Sequence, residues 1–378
     1  MKKILFLATY GDFLATFELS NIKLWKELGC EVHCASNFME KEYNLKTSRL
    51  DEIGVIRHEL HFLRSPIKKQ NLVAYKQLVK LIKKEKIEVI DCHNAVVGAF
   101  ARIAAEHCNV KKVIYTPHSF FFYKGCPKKN EIIFKNVEKY LARKTDLLIA
   151  INKEDYQSAL NMKVRGKALY VPGVGIDTVN IKTLANEREA YCKELNVPND
   201  AHIYISVGEL INRKNHVSSI KAFAKANPKN SFYFIAGIGE LKEELNNLIQ
   251  QLGMQKKIKL LGYRTDVKSL MKACDVYLFP SYQEGLPVAL MEAMACGLPC
   301  IASRIRGNVD LIDEGKGGEL FQADNINELA RIIDRVDRSL DDKKSKMGKY
   351  NQEKIEKFDI RNVQKIMKEE YKKLLNNN

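Results

Sequence analysis

The chain has 378 residues, 46% of them hydrophobic, and a formal net charge of +16, which suits two or three globular domains with real cores. No run approaches the ~18–20 apolar residues of a bilayer span. The nine cysteines, at 30, 34, 92, 108, 126, 192, 274, 296 and 300, have no histidines at zinc-ligand spacing, and their odd number points to reduced thiols in the cytosol.

The opening MKKILFLATYGDFLATFELS has a basic front and an apolar run. That run stops at Gly11 and Asp12 with no clean cleavage site, so it reads as a first strand rather than a signal peptide. FELSNIKLWKELG follows as a helix ending at Gly29, then EVHCAS as a strand. LVAYKQLVKLIKKEK has apolar residues at helical spacing, and IEVIDCHN after it reads as a buried strand. KKVIYTPHS, DLLIAIN and ALYVPGV continue the series. The rhythm breaks at VPGVGIDTVNIKTLANERE, a linker around residues 172–183, and restarts with AHIYISVGEL, SFYFIAGIG, KIKLLGY, DVYLFPS and LPCIAS. Strand–helix alternation implies parallel sheets covered on both faces. The expectation is an α/β chain with two doubly wound domains, 1–175 and 183–358, facing each other across a deep cleft. The tail, about 359–378, reads as a basic amphipathic helix that could pack back onto the first. Ligands in such sheets bind beyond the carboxyl ends of the strands.

Charge is uneven. Residues 1–182 hold 31 Lys/Arg against 19 Asp/Glu, a net +12, and residues 183–378 hold 31 against 27, a net +4. The first half is therefore the side expected to meet something anionic: nucleic acid, a membrane surface or an acidic ligand.

In PSYQEGLPVALMEAMACGLPCIAS, residues 280–303, Glu284 stands in a loop and Glu292 inside a helix. Pro287 suits the first helical position, and the free amides beyond it form an anion site. Glu284, just outside, suits hydroxyls of a phosphate-bearing ligand, and Glu292 suits a vicinal diol at its other end. The plainer reading makes Glu284 a dipole-favoured acid and Glu292 a solvated helix residue. Leu290, Met291, Ala293, Met294 and Ala295 around Glu292 are all apolar, however, so its carboxylate needs a partner.

EGLPVALMEAMACGLPCIAS closely resembles the nucleotide-sugar motif of family 4 glycosyltransferases, which have the GT-B fold of two Rossmann-like domains. The resemblance extends through SVGELINRKNH, FIAGIGE and LGYRTDV and is closest to bacterial members that build capsule or exopolysaccharide. It implies retaining transfer without a metal or other cofactor. Glu284 would contact the donor sugar, the amides of Gly285, Leu286, Pro287 and Val288 the diphosphate, and Glu292 the ribose. Lys214 matches a family cation. Glu209 stands where an arginine is usual, with Arg213 as a possible replacement. Backbone around Tyr263 and Arg264 would read the base. Gly237 and Gly239 either serve the ligand or merely make a tight turn. Gly11 carries over from a glycine pair whose second place is Asp12.

His118 falls where the family places a residue near the reacting centre, with His93 and Asn94 on a neighbouring strand end. Either histidine could instead only pin loop backbone. FFFYKGCPKKNEIIFKNVEKYLARKT interleaves aromatics with seven Lys/Arg. It suits an anionic membrane surface through Phe120, Phe121, Phe122, Tyr123 and Lys124, Lys128, Lys129 and Lys135. A nucleic-acid surface is the weaker reading, since nothing else resembles such a module. The expected protein is a cytosolic, peripherally membrane-bound hexosyl- or N-acetylhexosaminyltransferase. Its donor would be a nucleoside-diphosphate sugar, UDP-linked, and its acceptor a glycan on a polyprenyl-diphosphate lipid. The alternatives are a UDP-sugar epimerase of similar architecture and a non-enzymatic basic binding protein.

Overall fold

Short β-branched and aromatic runs form two all-parallel sheets in a computed structural model that describes residues 1–40 and 47–376. The first sheet contains β1 (Lys3–Tyr10), β2 (Glu31–Asn37), β3 (Ile56–Glu59), β4 (Val89–His93), β5 (Lys112–Thr116), β6 (Leu147–Ala150) and β7 (Lys167–Tyr170). Their order is β3-β2-β1-β4-β5-β6-β7. The second contains β8 (His202–Val207), β9 (Ser231–Ala236), β10 (Ile258–Gly262), β11 (Val276–Phe279), β12 (Cys300–Ser303) and β13 (Gly318–Phe321), in the order β10-β9-β8-β11-β12-β13. Central strands such as β4 and β11 are buried along their whole length, as helices on both faces require.

The chain divides into a first unit, Met1–Gly175 with Arg361–Asn378, and a second, Ile176–Ile360. Where it enters and leaves the second unit the two segments pair: Ile176 N donates to Phe358 O at 3.1 Å and Ile360 N to Ile176 O at 2.9 Å. The tail forms the helix Ile360–Asn376. It sinks Val363, Met367 and Tyr371 into the first unit's core beside Phe6 and Trp25. Residues 377–378 lie outside the described residues.

Three elements depart from the sequence reading. β3 and β13, each of four residues, were not expected. β3 is an edge strand reading IRHE, exposed and charged, as edges tend to be. β13 starts at Gly318, where a Cβ would stand 1.9 Å from Cys300 O. The helix expected from Phe17 starts instead at Gly11, directly after β1, and runs as Gly11–Phe13, a π turn Leu14–Glu18, and Leu19–Glu27. A π turn widens the helix and re-aims side chains, often at functional sites. Here it puts Glu18 in the interior, 2% exposed.

In both sheets the strand order reverses once, between β1 and β4 and between β8 and β11. Those are the switch points where ligands of such sheets bind.

Candidate functional site

Each unit carries a cluster at the carboxyl ends of its own switch-point strands. In the second unit, the segment after β8 makes a single 3-10 turn, Asn212–Lys214. Asn215 ends that turn in the left-handed region at φ +53°. Its buried Nδ2 donates to Pro280 O and Ala323 O, each at 3.1 Å. Tyr282 N donates to Arg213 O at 2.9 Å. The loop after β8 is thereby stitched to the loop after β11.

The stitching brings three predicted residues together. Lys214 Nζ lies 2.8 Å and Arg213 Nη1 3.0 Å from Glu284 Oε1. Arg213 also reaches Gln283 O at 3.1 Å and Glu209 Oε2 at 3.6 Å. Burial pushes the Glu284 carboxyl up, but Lys214 and Arg213 together outweigh it, and its pKa lies below the ordinary 4.5. Glu284 is therefore a carboxylate with two cations on one oxygen. A negatively charged group entering here meets one net positive charge from this trio.

Glu284 leads into the helix Val288–Ala295, capped by Pro287. Pro287 has no N–H, so of the four predicted amide positions Gly285, Leu286 and Val288 supply donors. The amides of Val288, Ala289 and Leu290 open the helix without intrahelical partners, and Met291 N is the first to bond back, to Pro287 O at 3.2 Å. Glu292 does find an open side: it shares with Val288 and Ala289 the face left by buried Leu290, Met291, Ala293, Met294 and Ala295. Its carboxylate pairs with Lys268 Nζ at 3.2 Å.

Tyr263 and Arg264 follow β10. Tyr263 is exposed, whereas the Arg264 guanidinium is occupied by Asp266, at 2.8 Å through Nε, and by Glu194. Backbone and the exposed Tyr263 ring remain there for a base. A Cβ on Gly237 would stand 1.9 Å from Gly208 O, and one on Gly239 2.5 Å from Leu210 O. These glycines let two loops pack backbone to backbone. Sequence reasoning missed Asn215 and also Arg306, which is buried and donates through Nε to Glu284 O at 3.3 Å. Neither has a spacing that would single it out.

In the first unit, Gly11 is buried where β1 meets the first helix, and a Cβ there would enter the Phe38 ring at 2.1 Å. His93 ends β4 and His118 follows β5 with φ +59°, an uncommon conformation for a non-glycine residue. Their rings meet: His93 Nδ1 lies 3.1 Å from His118 Nε2. Glu18 Oε1 lies 3.5 Å and 3.4 Å from the same two nitrogens. Burial pushes the His93 pKa down to about 4. The Glu18 carboxyl is held below its ordinary value: burial opposes this, and His93 and His118 outweigh the burial. Asp91, two residues before His93, is driven well up by burial and by the Glu18 charge. His93 is 1% exposed, so it supports His118 and offers an acceptor no surface of its own. The expectation that no residues could gather around a metal meets a contrary geometry here: Glu18, His93 and His118 bring three ligand atoms within 4.8 Å of one another. Glu18 had no sequence signal, because it lies 75 and 100 residues from its partners.

Asn94, at φ +65°, accepts from Thr9 N through Oδ1 at 3.2 Å and so ties β1 to the β4 end. Phe121 packs edge-on against Phe134, and Lys124 N donates to Glu154 at 2.8 Å. Phe120 and Phe122 are core residues, stacked at 4.9 Å, so the expectation of four exposed aromatics is corrected. A run of aromatics after a strand cannot all face out when alternate side chains point inward.

Known proteins share both halves. The family profile described as Glycosyl transferases group 1 matches residues 187–354, and Glycosyl transferase 4-like matches residues 3–152. EpsD of Bacillus subtilis (strain 168), whose own glycosyltransferase assignment is provisional, is 32% identical over 341 residues, 89% of this chain and 87% of EpsD. The chain belongs to the family 4 glycosyltransferases. This glycosyltransferase is also 32% identical over 278 residues, 70% of each chain, to the UDP-Gal:alpha-D-GlcNAc-diphosphoundecaprenol alpha-1,3-galactosyltransferase of Escherichia coli. Among solved structures, Anabaena HepE in complex with UDP and glucose matches with a TM-score of 0.79 at 20% identity, covering 99% of this chain and 100% of HepE. The lipopolysaccharide glycosyltransferase WaaG matches at 0.72 and 15%, covering 97% and 98%. The fold is GT-B.

Proposed function

We propose that this glycosyltransferase moves a hexose or N-acetylhexosamine from a UDP-sugar, with retention, to a glycan carried on a lipid diphosphate in bacterial surface polysaccharide synthesis. The observation that carries the donor side is Glu284 held by Lys214 and Arg213 at the start of the helix Val288–Ala295. A diphosphate arriving there draws the two cations, and Glu284 turns to the sugar hydroxyls. Glu292 takes the ribose diol, and backbone at Tyr263 and Arg264 takes the base. Two side-chain cations and the helix amides do the neutralising, so donor binding needs no divalent metal.

His118 is the residue we assign to the reacting centre, where a neutral imidazole can bond a sugar hydroxyl or take the acceptor's proton. The E. coli relative named above uses UDP-Gal, acts on a diphosphoundecaprenol glycan and makes an alpha linkage by its name. A Campylobacter jejuni relative, 28% identical, is likewise named for a diphospho-undecaprenol acceptor. Anabaena HepE has been solved with UDP-glucose. No helix among the described residues is long and apolar enough to cross a membrane. We place the enzyme peripherally at the inner membrane face, through the helix Lys128–Ala142. That helix exposes Ile132, Ile133, Val137 and Tyr140 among Lys128, Lys129, Lys135 and Lys139.

Glu284→Gln tests this reading. Transfer should fall at least about tenfold, or ~1.4 kcal/mol in the barrier, while UDP binds as well as to the unmodified enzyme or better, because both cations are freed. Unimpaired transfer by Glu284→Gln would remove Glu284 from the sugar site. NMR of the product gives the anomeric configuration. Altered donor stereochemistry without any acceptor would mark an epimerase instead.

A further inference from the structure

Three side chains from three separate segments converge in the first unit, and only one of the three contacts among them has the length of a good hydrogen bond. Glu18 comes from the π turn, His93 from the end of β4 and His118 from the turn after β5. Their facing atoms form a near-equilateral triangle: His93 Nδ1 to His118 Nε2 is 3.1 Å, and Glu18 Oε1 stands 3.4 Å from His118 Nε2 and 3.5 Å from His93 Nδ1. Both carboxylate distances exceed the usual limit of about 3.2 Å for a good N–H···O bond. Ligand atoms that three separate segments bring within 4.8 Å of one another are what a metal ion can gather.

We propose that Glu18 Oε1, His93 Nδ1 and His118 Nε2 form a three-ligand site for a divalent first-row metal, zinc foremost, with a fourth position open. Metal bonds of about 2.0–2.1 Å in a tetrahedron put neighbouring ligand atoms about 3.3 Å apart. An octahedral face with similar bonds would need about 3.0 Å. The observed triangle fits the tetrahedron better. Two imidazoles and a carboxylate suit zinc, whereas calcium and magnesium favour all-oxygen sets.

The surroundings match what metal ligands require. Glu18 Oε2, its second oxygen, accepts from Asn21 Nδ2 at 2.7 Å. Phe13 fixes the His118 ring edge-on at 4.8 Å, and Phe6 stacks on His93 at 5.9 Å. Glu18 and His93 are sealed, while the His118 side chain is 16% exposed, which leaves the open position and the entry path on its side. Zinc on His118 Nε2 takes that nitrogen away from a sugar or acceptor, so zinc inhibits transfer. This consequence rests on the role proposed for His118; the binding does not.

The test titrates full-length, metal-stripped, thiol-reduced protein with Zn²⁺ against a chromophoric chelator. One equivalent should bind, and Glu18→Gln and His118→Ala should each weaken it by more than about tenfold. X-ray absorption of the zinc complex should show nitrogen and oxygen neighbours at about 2.0–2.1 Å and no sulfur. Equal zinc affinity in the unmodified chain and in folded Glu18→Gln overturns the site, and so does a sulfur shell, which would assign the metal to cysteine. Circular dichroism in chelator establishes folding. Should buried Glu18→Gln not fold, the half-open His118→Ala carries the same comparison. UDP affinity on the same samples reports the donor site independently, so loss of one reading leaves the other standing.

Discussion

Lys214 and Arg213 share one oxygen of Glu284, and this crowding defines what single substitutions should do. Lys214 is the less exposed cation, with its ammonium also 5.2 Å from the Phe279 ring centre. Lys214→Ala should therefore weaken UDP-sugar use by more than tenfold, about 1.4 kcal/mol, and adding Arg213→Ala should deepen the loss. Normal donor kinetics in the double variant would show that the diphosphate is held elsewhere. Glu292→Ala should weaken UDP itself, since each hydrogen bond from a diol to a carboxylate contributes ~1.5–3 kcal/mol; calorimetry with UDP measures it directly. The Glu284 carboxyl has a depressed pKa, so its ionised form adds stability that is fully present above the unfolded value near 4.5 and fades as pH falls through the folded one. Glu284→Gln should flatten that acid limb in pH-dependent melts. Glu284, Lys214 and Arg213 were legible in the sequence because each lies in a short motif. Glu18 was not, because its position depends on a π turn that no residue pattern announces.

Helices carry the next level of constraint. The helix Lys128–Ala142 is anchored from below by Glu138, which is buried. Arg102 reaches Glu138 at 2.8 and 3.2 Å, and Tyr115 OH donates to it at 3.0 Å. The Arg102 guanidinium also lies 3.7 Å from the Tyr115 ring centre. Removing one partner of such a pair leaves a buried charge uncompensated, so Glu138→Ala should lose ~3–5 kcal/mol in chemical denaturation. The anchor leaves the other side of the helix to solvent, with apolar and basic residues mixed. Each Lys near an anionic surface contributes ~1 kcal/mol that salt weakens, and the apolar residues add binding that salt does not remove. Partition to anionic vesicles should thus fall as ionic strength rises, without vanishing. Ile132→Asp with Ile133→Asp should abolish the salt-resistant part; vesicle sedimentation at low salt with no binding would rule this helix out. The sequence displayed the basic-aromatic mixture but misassigned its members. Phe120 and Phe122 look like Phe121 in a string of letters, and only the alternation of a chain entering the core separates them.

At the scale of the whole chain, two sheets with the same reversal of strand order follow from one repeated rhythm of apolar strand and amphipathic helix, which is why the architecture could be read from sequence alone. What that rhythm does not reveal is how the tail is used. Val363, Met367 and Tyr371 have the spacing of any amphipathic helix, and their destination depends on a complementary hollow beside Trp25 and Phe6. The Tyr371 and Trp25 rings lie 4.4 Å apart, and Tyr371 OH lies 3.3 Å from Asp91 Oδ2. The first unit is therefore built from two separate stretches, Met1–Gly175 and Arg361–Asn378, whereas the second is continuous. Each has its own buried core, so calorimetry should resolve two transitions. A ligand at 100 times its Kd adds ~2.7 kcal/mol to the state that binds it, and UDP should raise the transition of the second unit. Deleting residues 361–378 should lower the other transition, by exposing Trp25 and Phe6 and leaving buried Asp91 without its phenol partner. The UDP-sensitive transition should hold its position. If the deletion lowered both transitions equally, or UDP moved both together, the units would melt as one and the separate assignment of donor binding would fail.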